Sequence, residues 1–180
     1  GVLSALVPFV HRLLALPMGI IKATPVSSFV ILALMWITKQ NLSTFIACLM
    51  VLPLIWTNVH QGMHSADPKL LEMARVFGLS RGAVARVIYL PAVLPYFLSG
   101  CRVAMGFAWK SGVAGEVISA PKGFIGTQLY NAKIYLETAD LFAWTAVVVV
   151  LSVLIERAMA AGLGALARRL GRAPQKEARA

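Results

Sequence analysis

His60 and His64, with Asp67 shortly after, are the first side chains here whose types and spacing suggest chemistry. On a helix, positions i and i+4 share a face, so the two imidazoles could hold one metal ion. Gln61 stands where a metalloprotease helix carries its glutamate, and no third ligand beyond Asp67 is evident. Histidines beside an apolar run are more often interfacial polar residues, and no metal site is assigned. Gly106-Phe-Ala-Trp-Lys-Ser111 has the Lys-Ser ending of a phosphate loop but lacks the second glycine before the lysine. It also lies in an apolar stretch, so it cannot cradle phosphates. No Gly-x-Ser-x-Gly nucleophile elbow occurs. The chain therefore reads as non-enzymatic, with no catalytic residue and no cofactor of its own. Lys110 and Glu116 are different, because ionisable groups within an apolar segment are costly and turn toward protein or a water-filled path. Structural pairing and pathway lining are both open for them.

The elements that must position these groups are membrane spans. Of 180 residues, 59% are hydrophobic and 13% are charged, and mean hydropathy is +0.77, which is an integral membrane composition. A net charge of +10 would suggest nucleic acid in a soluble domain. Here the basic residues fall between apolar runs or in the tail, as cytoplasmic loops do, and nucleic acid is excluded as a partner. Cys48 and Cys101 lie in apolar stretches and read as small hydrophobes rather than a bridge.

In chain order, residues 1–10 read as the end of a preceding span, and the opening at Gly1 inside an apolar run reads as an N-terminal truncation. Val26 to Thr38 is shorter than the roughly 20 residues a crossing needs, so it is expected to recruit residues before Pro25 and kink there. Thr38 to Asn41 is expected to be a polar turn, followed by a span over Leu42 to Val59 that contains Pro53. Ala92 to Ile118 is the longest apolar segment. Its Gly100, Ala104, Ala108 and Gly112 form a small-residue face for close helix approach, and Arg102, Gly106 and Lys110 mark another. Arg102 is expected to snorkel to the near surface. Thr127 to Glu137 is a candidate interfacial helix, and the last span should run from Leu141 to about Leu163. Residues 167–180, with Arg168, Arg169, Arg172, Lys176 and Arg179, read as a polar tail.

Between the spans, Asp67-Pro68 reads as a helix start, an acidic N-cap with proline at the first helical position. Lys69 to Phe77 then forms a short amphipathic helix with Leu70, Met73, Ala74 and Phe77 on one face. Gly78 is placed for a left-handed C-cap. Ser80 can cap a second short helix carrying Val84, Val87 and Ile88, with Pro91 shortly after it. The product is a compact basic knob with Arg75, Arg81 and Arg86.

This stretch resembles the EAA loop of ABC-transporter permeases of binding-protein-dependent importers: Glu-Ala-Ala, three residues, Gly, nine residues, Ile-x-Leu-Pro. Glu72, Ala74, Gly78, Ile88, Leu90 and Pro91 match in register, while Met73 replaces the first alanine. The resemblance implies an all-α, polytopic transmembrane bundle forming one permease domain, with a cytoplasmic coupling loop over about 65–91 that docks on a separate ABC ATPase. It also implies an extracytoplasmic solute-binding protein and a second permease copy as partners, membrane lipid around the chain, and ATP bound only by the ATPase. Asp67 to Glu72, Leu90 to Pro95, and Ala108 to Glu116 further resemble the nitrate/sulfonate/taurine branch, where a tryptophan precedes a glutamate as Trp109 precedes Glu116. Trp109, Lys110 and Glu116 are therefore the candidate pathway residues.

The positive-inside rule puts Lys69, Arg75, Arg81 and Arg86 in the cytoplasm, together with His11, Arg12, Lys22 and the C-terminal tail. Lys39, Lys122 and Lys133 are then outside. The resulting expectation is a multi-pass protein of the bacterial inner membrane that moves a small solute by alternating access. The alternatives are a membrane-embedded metal enzyme using His60, His64 and Asp67, and a non-transporting scaffold whose basic loop recruits a partner.

Overall fold

The computed structural model describes residues 1–169, and every regular element in them is helical. The order is α1 (Val2–Leu6), α2 (Pro8–Ala23), α3 (Val26–Ala33), α4 (Lys39–His64), α5 (Pro68–Val76), α6 (Arg81–Val84), a π-helical turn (Ala85–Tyr89), α7 (Leu90–Ser119), α8 (Ile125–Ile134) and α9 (Thr138–Arg169). Three stretches, Lys39–His64, Arg81–Ser119 and Thr138–Ala165, are long and apolar enough to cross a membrane. The α2–α3 pair would make a fourth if it is one broken span.

That pair departs from the kinked span expected at Pro25. Its two helices are bent by 102°, and α3 has only eight residues, about 12 Å of helix at 1.5 Å per residue. Thr24 precedes proline and is extended at φ −82 and ψ 130, while Pro25 is itself extended at φ −58 and ψ 139. Two consecutive extended residues redirect the chain instead of merely kinking it.

The polar turn also lies elsewhere than expected. Leu34 to Ile37 make the turn, Thr38 is extended, and Lys39, Gln40 and Asn41 form the first turn of α4. A helix start tolerates such residues because its first N–H groups need outside partners in any case. Pro53 does not break α4; the Thr57 hydroxyl donates to the Pro53 carbonyl at 2.8 Å.

A third difference concerns Pro91. The short helix after Ser80 does not stop there but continues through the π turn into α7, an unbroken path from Arg81 to Ser119. The Leu90 N–H donates five residues back, to the Ala85 carbonyl. Widening one turn just ahead of a proline moves its ring off the carbonyl it would strike in a uniform α-helix.

The centre of the bundle is the antiparallel pair of α4 and α7. A Cβ on Gly62 would lie 2.8 Å from the Val93 Cα, one on Gly100 2.9 Å from the Asn58 side chain, and one on Gly115 3.5 Å from the Ser43 Cα. Small residues let the two backbones close up, as helices must in lipid where packing replaces the hydrophobic drive. Val30, Ala33, Leu42 and Ile46 form a buried cluster where α3 meets α4. The candidate interfacial helix is α8, and α9 extends through Arg169, past the expected end near Leu163. Residues 170–180 of the expected tail lie outside the described residues.

Candidate coupling elbow and intramembrane polar groups

The elbow is held by local bonds that its sequence specifies. The Asp67 carboxylate accepts from the Lys69 N–H at 2.9 Å, and Pro68 opens α5. At the other end Leu79 N–H donates to the Ala74 carbonyl at 2.9 Å and Gly78 N–H to the Arg75 carbonyl at 3.1 Å. This is a Schellman closure, with Gly78 at φ +64. The Ser80 hydroxyl then accepts from the Ala83 N–H at 3.3 Å.

Tertiary packing sorts the elbow's apolar residues in a way the period of α5 does not. Ala66, Ala74 and Ile88 are buried together, with Leu71, Val84 and Tyr89 against them. Of the face expected from Leu70, Met73, Ala74 and Phe77, only Ala74 is covered; Met73 is 53% exposed, Val76 85% and Phe77 75%. Val87 is exposed while Ile88 is buried, because the π turn breaks the simple α register there. Leu90 is exposed and Pro91 half-buried at the junction with α7. Glu72 is exposed and, among the described residues, bonds neither Arg75 nor Arg81. The outer surface of the elbow is thus an apolar patch left uncovered among the described residues. Its inner side opens on a cavity of about 850 Å³ toward α1.

The candidate pathway residues separate. Trp109 and Glu116 line a cavity of about 490 Å³ with Ser43 and Thr44 of α4. The Glu116 carboxylate accepts from the Ser43 hydroxyl at 3.2 Å and from the Gly126 N–H at 2.9 Å. Gly126 sits in the first turn of α8, where unpaired N–H groups favour an anionic partner. Lys110 takes no part in this and is exposed; the pairing of Lys110 with Glu116 weighed from the sequence does not form. Gly126 was not legible as a partner, since nothing in its neighbours marks the approach of α8 to α7. A further carboxylate, Glu156 of α9, approaches α7 beside that cavity, which Ile155 and Met105 also line; a Cβ on Gly106 would meet its Oε1 at 2.9 Å.

His60 and His64 share a face of α4, but as part of a ring column. His11 of α2 stacks on His60 with centroids 4.3 Å apart and on Trp56 at 5.3 Å, and His60 lies 4.5 Å from His64. His64 Nδ1 is 3.0 Å from the His60 carbonyl. Stacked rings present faces rather than convergent lone pairs, and Asp67 is engaged as the cap of α5. Among the described residues no group of three or more His, Cys, Asp or Glu is arranged to hold a metal. His11 was the partner missed from sequence.

Antiparallel spans joined by a capped, exposed elbow define a polytopic α-helical membrane protein. The chain belongs to the family of binding-protein-dependent transport system inner membrane components, whose family model matches residues 1–172. It is 32% identical over 129 residues to the putative aliphatic sulfonates transport permease protein SsuC of Escherichia coli, covering 71% of this chain and 49% of that protein. It is 28% identical to the taurine transport system permease protein TauC of Escherichia coli over 94% of this chain and 60% of that one. Identity to the bicarbonate transport system permease protein CmpB of Synechococcus elongatus is 26% over 59% of this chain and 38% of that one. The chain spans about half the length of the curated relatives it matches.

Proposed function

We propose that this chain is the permease portion of an ATP-driven importer for a small sulfonate, taurine-like or related anionic solute. The observation that carries the proposal is the elbow: a locally capped knob, packed through Ala74 and Ile88, whose exposed apolar side chains have no cover among the described residues. Membership of the family supports it, and the sulfonate and taurine permeases among its relatives suggest the solute class. In this reading residues 67–91 face the cytoplasm and dock in a groove of a separate ATPase, which alone binds ATP. Glu72, without an ion-pair partner among the described residues, faces a basic group there, and Met73 enters the groove as a larger side chain than alanine. A solute-binding protein delivers cargo at the opposite end, and a second copy of the permease completes the translocation path. Trp109 and Glu116 border that path near its outer end, Glu116 also holding α8.

The test is reconstitution of the full-length protein with its ATPase and binding protein in vesicles, measuring ATP-driven uptake of taurine and of ethanesulfonate. Uptake of either, dependent on all three components, is the expected result. ATPase binding without uptake of any small anion would leave a scaffold, not a permease.

A further inference from the structure

Three ionisable side chains on one side of the bundle are not accounted for by the elbow or by the Glu116 cavity. Arg102, Gly106 and Lys110 recur every four residues on α7, and Arg102 and Lys110 are exposed. Glu156 of α9 is exposed as well, and its carboxylate reaches the Gly106 position, where an added Cβ would come within 2.9 Å of Oε1. The anion therefore stands between two cations, one turn of α7 to either side, and no ion pair fixes it to them among the described residues.

Depth makes this arrangement informative. Ser119 ends α7 beside the start of α4, where Ser43 bonds the Gly112 carbonyl at 3.1 Å. At 1.5 Å per residue, Lys110 is about 14 Å below that end, Gly106 about 20 Å and Arg102 about 26 Å. Against a hydrocarbon core of roughly 30 Å, Lys110 is near the middle and Arg102 near the elbow-side shoulder. An exposed Lys110 at such depth is too costly to face lipid and belongs on a water-filled path, while Arg102 at the shoulder is within reach of the near surface. None of the apolar window of α9 is buried among the described residues, so α9 does not close this side of α7 with a packed core.

We infer that the Arg102–Gly106–Lys110 face of α7 is the anion-conducting wall of the pathway, with Glu156 as an internal counter-anion that a passing small oxyanion displaces. The inference rests on the importer reading. A solute descending from the middle of the membrane meets Lys110 first and Arg102 last. Glu156 neutralises the wall when it is empty, which keeps a bound anion from being held too tightly to leave.

The experiment places a cysteine at Phe107, an exposed neighbour of Lys110 on this side, in a Cys48→Ser, Cys101→Ser background of the full-length protein assembled with its ATPase. Two water-soluble thiol reagents of similar size are compared, one carrying a sulfonate and one a quaternary ammonium. The sulfonate reagent should react about tenfold faster, the low end of what charge focusing gives. Glu156→Gln should widen that ratio, Lys110→Gln should abolish it, and Lys110→Arg should restore it. Equal rates, or no reaction with either reagent, overturn the inference. ATP-driven taurine or ethanesulfonate uptake in the same vesicles reads the importer proposal separately. Uptake without anion preference at position 107 removes the wall alone; anion preference without uptake keeps the wall and removes the importer.

Discussion

Gly78 turns the elbow at φ +64 with open space around its α-carbon, so backbone strain and not crowding decides what can replace it. A β-branched residue there costs about 1–3 kcal/mol. Gly78→Val should leave membrane insertion intact, since no span is touched, but distort the elbow and weaken ATPase capture; pull-down with equal amounts of each variant measures it. Gly126 is the opposite case, because an added Cβ would fall only 2.8 Å from the Val117 nitrogen and collide with the Glu116 side chain. Gly126→Ala should therefore part α8 from α7 and lower the detergent-solubilised melting temperature. Gly162→Ala, with nothing within 4 Å, should leave that temperature unchanged or slightly raised. Glu116→Ala removes the acceptor of two bonds and should destabilise by about 1–3 kcal/mol, Glu116→Gln by less. Equal stability of Glu116→Ala and the native chain would show that the two bonds contribute nothing net.

At the scale of elements, α5 is stable in place because its inner side is packed and both its ends are capped, which frees its outer side for another protein. Val76→Asp and Phe77→Asp alter the two most exposed apolar side chains of that outer side, 85% and 75% accessible. Neither change buries a charge in the folded chain, so thermal stability should hold within about 0.5 kcal/mol, the usual range for surface changes. ATPase capture should fall at least tenfold, and retention of capture in both variants would move the docking surface elsewhere. The π turn is the second element of interest. It joins α6 to α7 in one continuous stretch from Arg81 to Ser119, the route by which the proposed coupling would carry a push on the elbow into the membrane.

With α7 as a span, the elbow and α8 lie on opposite sides of the membrane, since α7 alone separates them. A single cysteine at Gly82, which has open space around it, should react only from the cytoplasmic side in intact cells. One at the exposed Gln128 should react only from outside. Labelling of both from the same side would contradict a spanning α7, and exchange of the two sides would reverse the proposed orientation. Apolar length, proline and glycine positions and the Asp67, Gly78 and Ser80 caps are local properties, and the sequence alone determined the helical class, the main spans and the elbow. The sharp α2–α3 bend and the passage of the helix through Pro91 were misjudged, because a proline says that a helix is perturbed but not whether it ends. The alignment of Gly126 with Glu116, of Gly106 with Glu156 and of His11 with His60 belongs to the tertiary structure alone. Each depends on the relative height and rotation of two helices distant in sequence, which close packing of small residues between α4 and α7 and around them decides and no single helix encodes.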